Sequence, residues 1–333
     1  MGNIESMSQD VIAIARAGGP EVLTMARRDR PQPASGQVLI RVHSAGINRH
    51  DCGQRSRGPN THESDIPGLE VSGHIESVGG DVRGIEVGSP VCALVDGGGY
   101  AQYAIADAAN VFPVPAHLSL REAASVPEAA FTSWYNFFSV GAMQPDETAL
   151  IHGGTSGVGV FAIQLLRALG HAVYTTCGSD EKVAFARSLG ANDAFNYRTD
   201  DFAKRMAEAG IGVDVVLDMS GGRYIDQNLA VLAYGGRIVH LSQGPGGPLP
   251  VPLRAVMQKE ARITGSLMRP LAPARKRKVA EALKEHVWPL LGEAIRPVIS
   301  EVYPLAEAHS AHRRLEQGEN IGKLLLAVES IAQ

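Results

Sequence analysis

The chain has 333 residues, too many for one small core and suited to about two domains. Hydrophobic residues make up 44% and charged residues 20%, and 31 Lys plus Arg against 35 Asp plus Glu leave a formal charge of -4, so no global electrostatic reason to bind nucleic acid exists. No run approaches the roughly 20 apolar residues that span a bilayer, and the three scattered cysteines, Cys52, Cys92 and Cys177, offer neither a disulfide framework nor a Cys-x-x-Cys metal site.

Residues 1–10 are polar and lack the basic start and apolar stretch of a signal peptide, which points to the cytoplasm. Short apolar runs at 11–14, 38–42, 73–78 and 100–105, bounded by Gly and Pro, predict strands of a barrel-like or sandwich domain. Cys92 sits in the apolar run 91–95 and reads as a small core residue. Near residue 130 the pattern changes to alternating strands and helices. Strands are expected at 148–152, 171–176, 194–197, 213–217, 237–241 and 262–267, with helices at 158–169, 180–189 and 224–232. Such alternation implies a doubly wound parallel sheet covered by helices on both faces. From about 271 the chain is expected to be helical, with a basic solvated face at 275–278, before a last strand at 322–328. The expected organisation is therefore α/β: a β-rich domain from 1–130 and 271–333, with a doubly wound domain inserted over 131–270. The strand at 262–267 should lie at a sheet edge, where pairing with a second copy would satisfy its backbone groups; a homodimer is expected.

The strongest chemical signal follows the strand at 148–152. His152-Gly153-Gly154-Thr155-Ser156-Gly157-Val158-Gly159-Val160-Phe161-Ala162 leads into a helix and contains Gly157-x-Gly159-x-x-Ala162. Glycines let the backbone approach a pyrophosphate, and the helix start offers free N–H groups and a positive dipole end. The strand–loop–helix–strand context makes this a dinucleotide-binding fingerprint. Proteins that hold NAD usually place an acid at the end of the next strand, against the ribose 2′-OH. Here that strand ends Thr175-Thr176-Cys177-Gly178-Ser179, with Lys182 one turn on, and Asp180 lies past it in the helix. A hydroxyl, helix-terminal amides and an ammonium suit a 2′-phosphate, so NADPH is the expected cofactor. Ser179 also reads as a helix N-cap and Lys182 as a surface residue, and the readings are compatible.

With Ala45 to Asp51, Ile66 to His74, Val126 to Thr132, the glycine loop, Gly178 to Lys182, Phe195-Asn196-Tyr197 and Asn320-Ile321-Gly322-Lys323 in view, the chain resembles the zinc-free quinone oxidoreductase branch of the medium-chain dehydrogenase/reductase superfamily. Within it the chain is most similar to the p53-inducible quinone oxidoreductase type. The resemblance implies a GroES-like catalytic domain built from both chain ends, and an inserted Rossmann domain. It implies that Ser179, Lys182 and Tyr197 surround the 2′-phosphate. It also implies cofactor contacts from Asn48, Thr132, Ser242, Leu267 and Lys323, beside the loop residues and Gly178, and catalytic roles for Asn48 and Asp51.

Zinc-dependent members of the superfamily carry Cys where this chain has Asn48 and His where it has Leu69. Their four-cysteine lobe is replaced by Asp96-Gly97-Gly98-Gly99. Glu70 and Asp51 remain, but two carboxylates make a poor zinc site, so no metal is expected. His43, His50, His62 and His74 read as ordinary surface or core residues. The loop after Asn48-x-x-Asp51, residues 55–62, lacks the tyrosine that several quinone reductases carry there. In the expected reaction Asn48 donates to a substrate oxygen and Asp51 orients its neighbours, although both residue types also favour plain turns. The substrate is expected to be a small quinone or an enone. An enone or enoyl reductase is the alternative within the enzyme class. A non-enzymatic NADPH-binding protein of zeta-crystallin type, structural or nucleic-acid-binding, is the alternative outside it.

Overall fold

A computed structural model describes residues 8–60, 63–244 and 249–328. The first seven residues of the polar amino-terminal stretch, and Thr61 and His62 of the expected loop, lie outside the described residues. The chain divides into two compact units. One gathers the chain up to Glu128 with Lys276–Gly292 and the segment from Pro297 on; the other is Ala129–Arg275 with Glu293–Arg296.

The first unit is β-rich. Strands β1 (Ser8–Ile14) and β2 (Leu23–Asp29) pair antiparallel. β3 (Gln37–Ile47) leads into helix α1 (Arg49–Arg57), followed by β4 (Glu70–Val78), β5 (Pro90–Leu94), β6 (Tyr103–Asp107) and β7 (Val111–Pro113). β3 is the hub of this sheet, pairing antiparallel with both β4 and β6. Its side chains alternate between faces, and Val38, Ile40 and Val42 are buried in one cluster with Ile12, Val71 and Tyr100. The expected loop at 55–62 is corrected here, because residues 55–57 are the last turn of α1. The Asp51 carboxylate accepts from the Asn48 backbone N–H at 2.8 Å, which secures the first turn of a helix with no apolar periodicity. Gly58, at φ +85°, ends it.

The chain then passes through the short helix α2 (Leu120–Ala123) into α3 (Pro127–Trp134), which runs on as a π-helical stretch over Tyr135–Val140. The second unit follows as β8 (Ala149–His152), α4 (Gly157–Ala168), β9 (Val173–Cys177), α5 (Asp180–Ser188), β10 (Asp193–Asn196), α6 (Phe202–Glu208), β11 (Val213–Asp218), α7 (Ile225–Val231), β12 (Leu232–His240), α8 (Leu253–Lys259) and β13 (Arg262–Gly265). All its strand pairs are parallel, in the order β10-β9-β8-β11-β12-β13. The chain reverses direction across the sheet between β8 and β11, and in open α/β sheets ligands bind outside the carboxyl ends of the strands at such a point. Successive residues of β8 face opposite sides. Ala149 and Ile151 pack with Ala162, Ile163 and Leu166 of α4, while Leu150 packs with Phe202, Met206 and Leu229 of α6 and α7. Burial on both faces is why these strands read as continuous apolar runs. Neither α6 nor α8 stands out in the sequence, because α6 is a seven-residue helix and α8 buries no residue at all.

The remaining chain returns to the first unit through α9 (Pro273–His286), β14 (Ile299–Pro304), α10 (Ala308–Gln317) and β15 (Lys323–Ala327). The expected solvated basic face is corrected at one position. Lys276 is buried and ion-pairs with Asp96, fastening the glycine-rich 96–99 loop, while Arg275, Arg277 and Lys278 are exposed. β15 is parallel to β14 and antiparallel to β3, with Leu324 opposite Ile47. That register brings Lys323, at the start of β15, beside Asn48, at the end of β3. Among the described residues no helix is long and apolar enough to cross a membrane.

Candidate active site

In the second unit the glycine loop joins the end of β8 to α4. Two of its glycines are required by close approach. A Cβ on Gly159 would come 2.3 Å from the Gly153 carbonyl oxygen, and one on Gly154 would come 2.1 Å from Thr175 Oγ1. Ser156 caps α4, its Oγ accepting from Gly159 N–H at 3.0 Å, which accounts for a serine at this point in a glycine-rich loop. Thr155 is buried beneath the turn, and Gly157 and Val158 open the helix with N–H groups that lack helical acceptors.

The loop rests on a buried polar brace that sequence reasoning missed. His152 Nε2 donates to Asn228 Oδ1 at 2.7 Å, and its Nδ1 accepts from Thr176 Oγ1 at 2.9 Å. Asn228 Nδ2 in turn donates to Asp218 at 3.1 Å. Burial pushes the pKa of His152 down, so the ring is neutral, as these one-donor, one-acceptor bonds require. The brace ties together the carboxyl ends of β8, β9 and β11. Its members lie on separate elements, and no local spacing in the sequence marks them as partners.

At the end of β9 the residues expected to hold a 2′-phosphate are brought together. A Cβ on Gly178 would come 2.6 Å from the Tyr197 hydroxyl, so glycine leaves room for that ring. Ser179 caps α5, accepting from Lys182 N–H at 3.3 Å. Asp180, the nearest acid, accepts a 2.7 Å hydrogen bond from Asn196 Nδ2. Elsewhere in this unit Thr132 is buried on α3, and its carbonyl accepts from Asn136, whose Oδ1 accepts from Ser266. Ser242 lies after β12, where its Oγ accepts from Gly244 N–H. Leu267, just past β13, is 71% exposed and lines an open depression with Tyr135, Ser266, Pro270 and Arg275.

In the first unit Asn48 and Lys323 meet in a buried charged cluster. Lys323 Nζ donates to Asn48 Oδ1 at 2.5 Å, Glu70 Oε1 at 2.6 Å and Glu128 Oε2 at 3.1 Å. Asn48 Nδ2 donates to Glu70 Oε1 at 3.0 Å, and Glu128 N–H donates to Glu70 Oε2 at 2.9 Å. Burial works against the Lys323 charge, but Glu70 and Glu128 outweigh it and raise its pKa. Burial pushes the pKa of Glu70 up against the pull of Lys323. Three donors nevertheless converge on its oxygens, and the ion pair is the form that satisfies all of them. Gly46 lies opposite Glu70 in the β3–β4 ladder and gives this carboxylate its space, since a Cβ there would come 2.1 Å from Oε1.

Asp51 is fully buried below Asn48. It accepts from Asn48 N–H, from Gly68 N–H at 3.2 Å and from the Tyr100 hydroxyl at 3.0 Å. Tyr100 in turn accepts from His312 Nε2 at 3.1 Å, and His312 Nδ1 faces Cys52 Sγ and Arg55. Arg55 pairs with Glu316. Burial pushes the Cys52 thiol up to about 12 and His312 down to about 4, so neutral Cys, Tyr and His lie between the Asp51 carboxylate and the Arg55–Glu316 pair. Tyr100 and His312 were not singled out in the sequence; only tertiary contact makes them partners of Asp51. Among the described residues no group of three His, Cys, Asp or Glu side chains could hold a metal ion, and Leu69 is buried.

Comparison with known proteins finds two families along the chain. Residues 34–116 match the alcohol dehydrogenase GroES-like domain, and residues 157–285 match the zinc-binding dehydrogenase family. The chain is 32% identical over 329 residues to a quinone oxidoreductase of Mus musculus, covering 95% of this chain and 96% of the relative. The quinone oxidoreductase of Escherichia coli, solved in complex with NADPH, superposes with a TM-score of 0.84 at 27% identity, covering 96% of this chain and 100% of that one. The quinone oxidoreductase of Thermus thermophilus gives a TM-score of 0.81 at 30% identity, with the same coverage.

The His312 environment sets a pH dependence of stability. A histidine whose folded pKa is depressed contributes fully above its unfolded value of about 6.5. That contribution is lost as pH falls toward the folded value of about 4. Urea unfolding at about pH 4.5 should therefore show roughly 2–3 kcal/mol less stability than at about pH 7.5 from this group, and the loss should shrink in His312→Gln. Equal losses in the two proteins would clear His312 as the cause.

Proposed function

The chain belongs to the medium-chain dehydrogenase/reductase superfamily, among its quinone-oxidoreductase-like members, and from that premise we propose that it is an NADPH-dependent quinone oxidoreductase working without zinc. The observation that carries the cofactor choice is the group at the end of β9. Ser179 and Tyr197 flank Gly178, Lys182 stands on the first turn of α5, and the nearest acid is engaged with Asn196. A phosphate meets a hydroxyl, a phenol, helix-terminal amides and an ammonium there. The residues of the second unit fit a dinucleotide, because α4 begins where a pyrophosphate needs donors, and Gly154 and Gly159 let the loop before it fold tightly against Thr175 and the Gly153 carbonyl.

When bound, NADPH supplies a hydride, and the protein binds, orients and shields. A quinone that gains a hydride carries negative charge on one oxygen. Asn48 is the proposed donor to that oxygen: Nδ2 bears two hydrogens and Glu70 takes one. Asp51 supports this indirectly, by holding the Asn48 backbone and the start of α1. Protons for the reduced quinone come readily from water. The cluster around Asn48 carries the Lys323 ammonium, which would repel a metal cation. An alcohol substrate needs its hydroxyl deprotonated and the resulting charge held, which zinc normally does.

The outer edge of β13 ends the sheet of the second unit, and near it Leu253, Met257 and Leu267 are 71%, 77% and 71% exposed. An open edge, with exposed apolar side chains on the preceding helix and just past the strand, fits pairing with a second copy across a two-fold axis.

Three outcomes test this reading. Losing one charge-assisted contact costs on the order of 1.5–3 kcal/mol, so Lys182→Ala should raise the KM for NADPH about tenfold or more and leave that for NADH nearly unchanged. Equal changes for both cofactors would remove the phosphate pocket. A steady-state screen should show NADPH oxidation with ortho- or para-quinones that survives strong chelator, and negligible oxidation of primary alcohols. Activity lost with about one zinc per chain would overturn zinc independence, and turnover with enones alone would move the assignment to an enone reductase. Light scattering at micromolar protein should give a dimer mass; a monomer there would leave the β13 edge unpaired.

A further inference from the structure

The Lys323 cluster places charged groups where apolar side chains of the same volume would fold at lower cost. What those charges do to Asn48 is specific. Its carboxamide is divided between opposite charges, with Oδ1 on the Lys323 ammonium and Nδ2 on the Glu70 carboxylate. Turning the amide over would set NH2 against an ammonium and a carbonyl against a carboxylate. Electrostatics therefore allow one orientation only. The side chains of Lys323 and Glu70 are 4% and 0% exposed, so water does not screen this choice. A hydrogen bond from an ammonium to the amide oxygen also polarises the amide and strengthens its N–H groups as donors. Glu128 braces the ammonium as a further acceptor at 3.1 Å, and its backbone N–H holds Glu70 Oε2. Every polar partner of Lys323 given above belongs to the first unit.

We propose that Lys323 is a positioning residue for the reaction, whose buried ammonium fixes and polarises the Asn48 carboxamide so that the second Nδ2 hydrogen serves the oxygen on which charge develops. The proposal rests on the reading of Asn48 as that donor. It gives Lys323 a different task from the cofactor contact that family resemblance implies, and the two tasks separate in the NADPH dissociation constant.

The test is a double-mutant cycle on the full-length protein with a quinone substrate. Lys323→Gln and Asn48→Ala should each lower kcat on the order of tenfold to a hundredfold, with quinone KM changed by less than about threefold. NADPH binding, read by nicotinamide fluorescence, should change by less than about threefold in Lys323→Gln. The double variant should be no slower than Asn48→Ala alone. Losses that multiply in the double variant would overturn the proposal and leave Lys323 a merely structural cation. NADPH binding weakened by about tenfold or more in Lys323→Gln would overturn it in favour of a cofactor contact. An unchanged kcat in Asn48→Ala is a separate failure, because it removes the donor reading itself and the proposal with it. Should Lys323→Gln fail to fold, the paired variant Lys323→Gln/Glu70→Gln removes the two most deeply buried charges and leaves only Glu128, whose side chain is 14% exposed, without this cation, and the cycle is run from Glu70→Gln with the same expectations.

Discussion

The ion pair between Lys323 and Glu70 joins residues 253 positions apart, at the start of β15 and the start of β4. Both side chains are buried, so each depends on the other, and breaking one side would leave an uncompensated charge inside the first unit. The surrounding backbone is arranged to permit the pair. β15 pairs antiparallel with β3 in a register that sets Lys323 next to Asn48, and Gly46 leaves space for the Glu70 carboxylate. The two chain ends of this unit are thus joined by a sheet register and by a charge that has few other places to go.

Below the pair, Asp51 performs a different task with the same economy of partners. Its two oxygens receive Asn48 N–H, Gly68 N–H and the Tyr100 hydroxyl, which fixes the end of β3, the segment before β4 and the start of α1 at one point. Neutral His312 and Cys52 surround it because burial disfavours charge on either. A charged amide-orienting layer therefore sits above the Asp51 carboxylate, and both act on Asn48, one through its side chain and one through its backbone.

The second unit uses backbone more than charge. Its sheet presents the carboxyl ends of parallel strands, the His152–Asn228–Asp218 brace holds three of those ends together, and Ser156 and Ser179 cap the two helices that begin there. Small residues at Gly154, Gly159 and Gly178 keep side chains out of positions already taken by Thr175, the Gly153 carbonyl and Tyr197. In the proposed reading, anion binding at such a place comes from geometry set by the turns, with Lys182 adding a full positive charge at the β9 end.

Much of this is legible in the residues. Doubly wound strands are buried on both faces and so appear as apolar runs, and the glycine loop has a spacing that strand and helix geometry require, so the α/β class, the loop and the missing acid after β9 follow from local pattern. Local pattern also places Ser179 at a helix start, where a hydroxyl serves orphan N–H groups. It is weaker where signals are short or one-sided: α6 and α8 are seven residues each, α1 reads partly as loop, and Lys276 reads as solvated though it is buried against Asp96. What the sequence by itself determined is the set of elements whose stability is written in neighbouring residues. Only the tertiary structure decided which distant charges meet, because Lys323, Glu70, Glu128 and Asn48 have no common spacing and become one cluster only when β15 is inserted beside β3 and water is excluded around them.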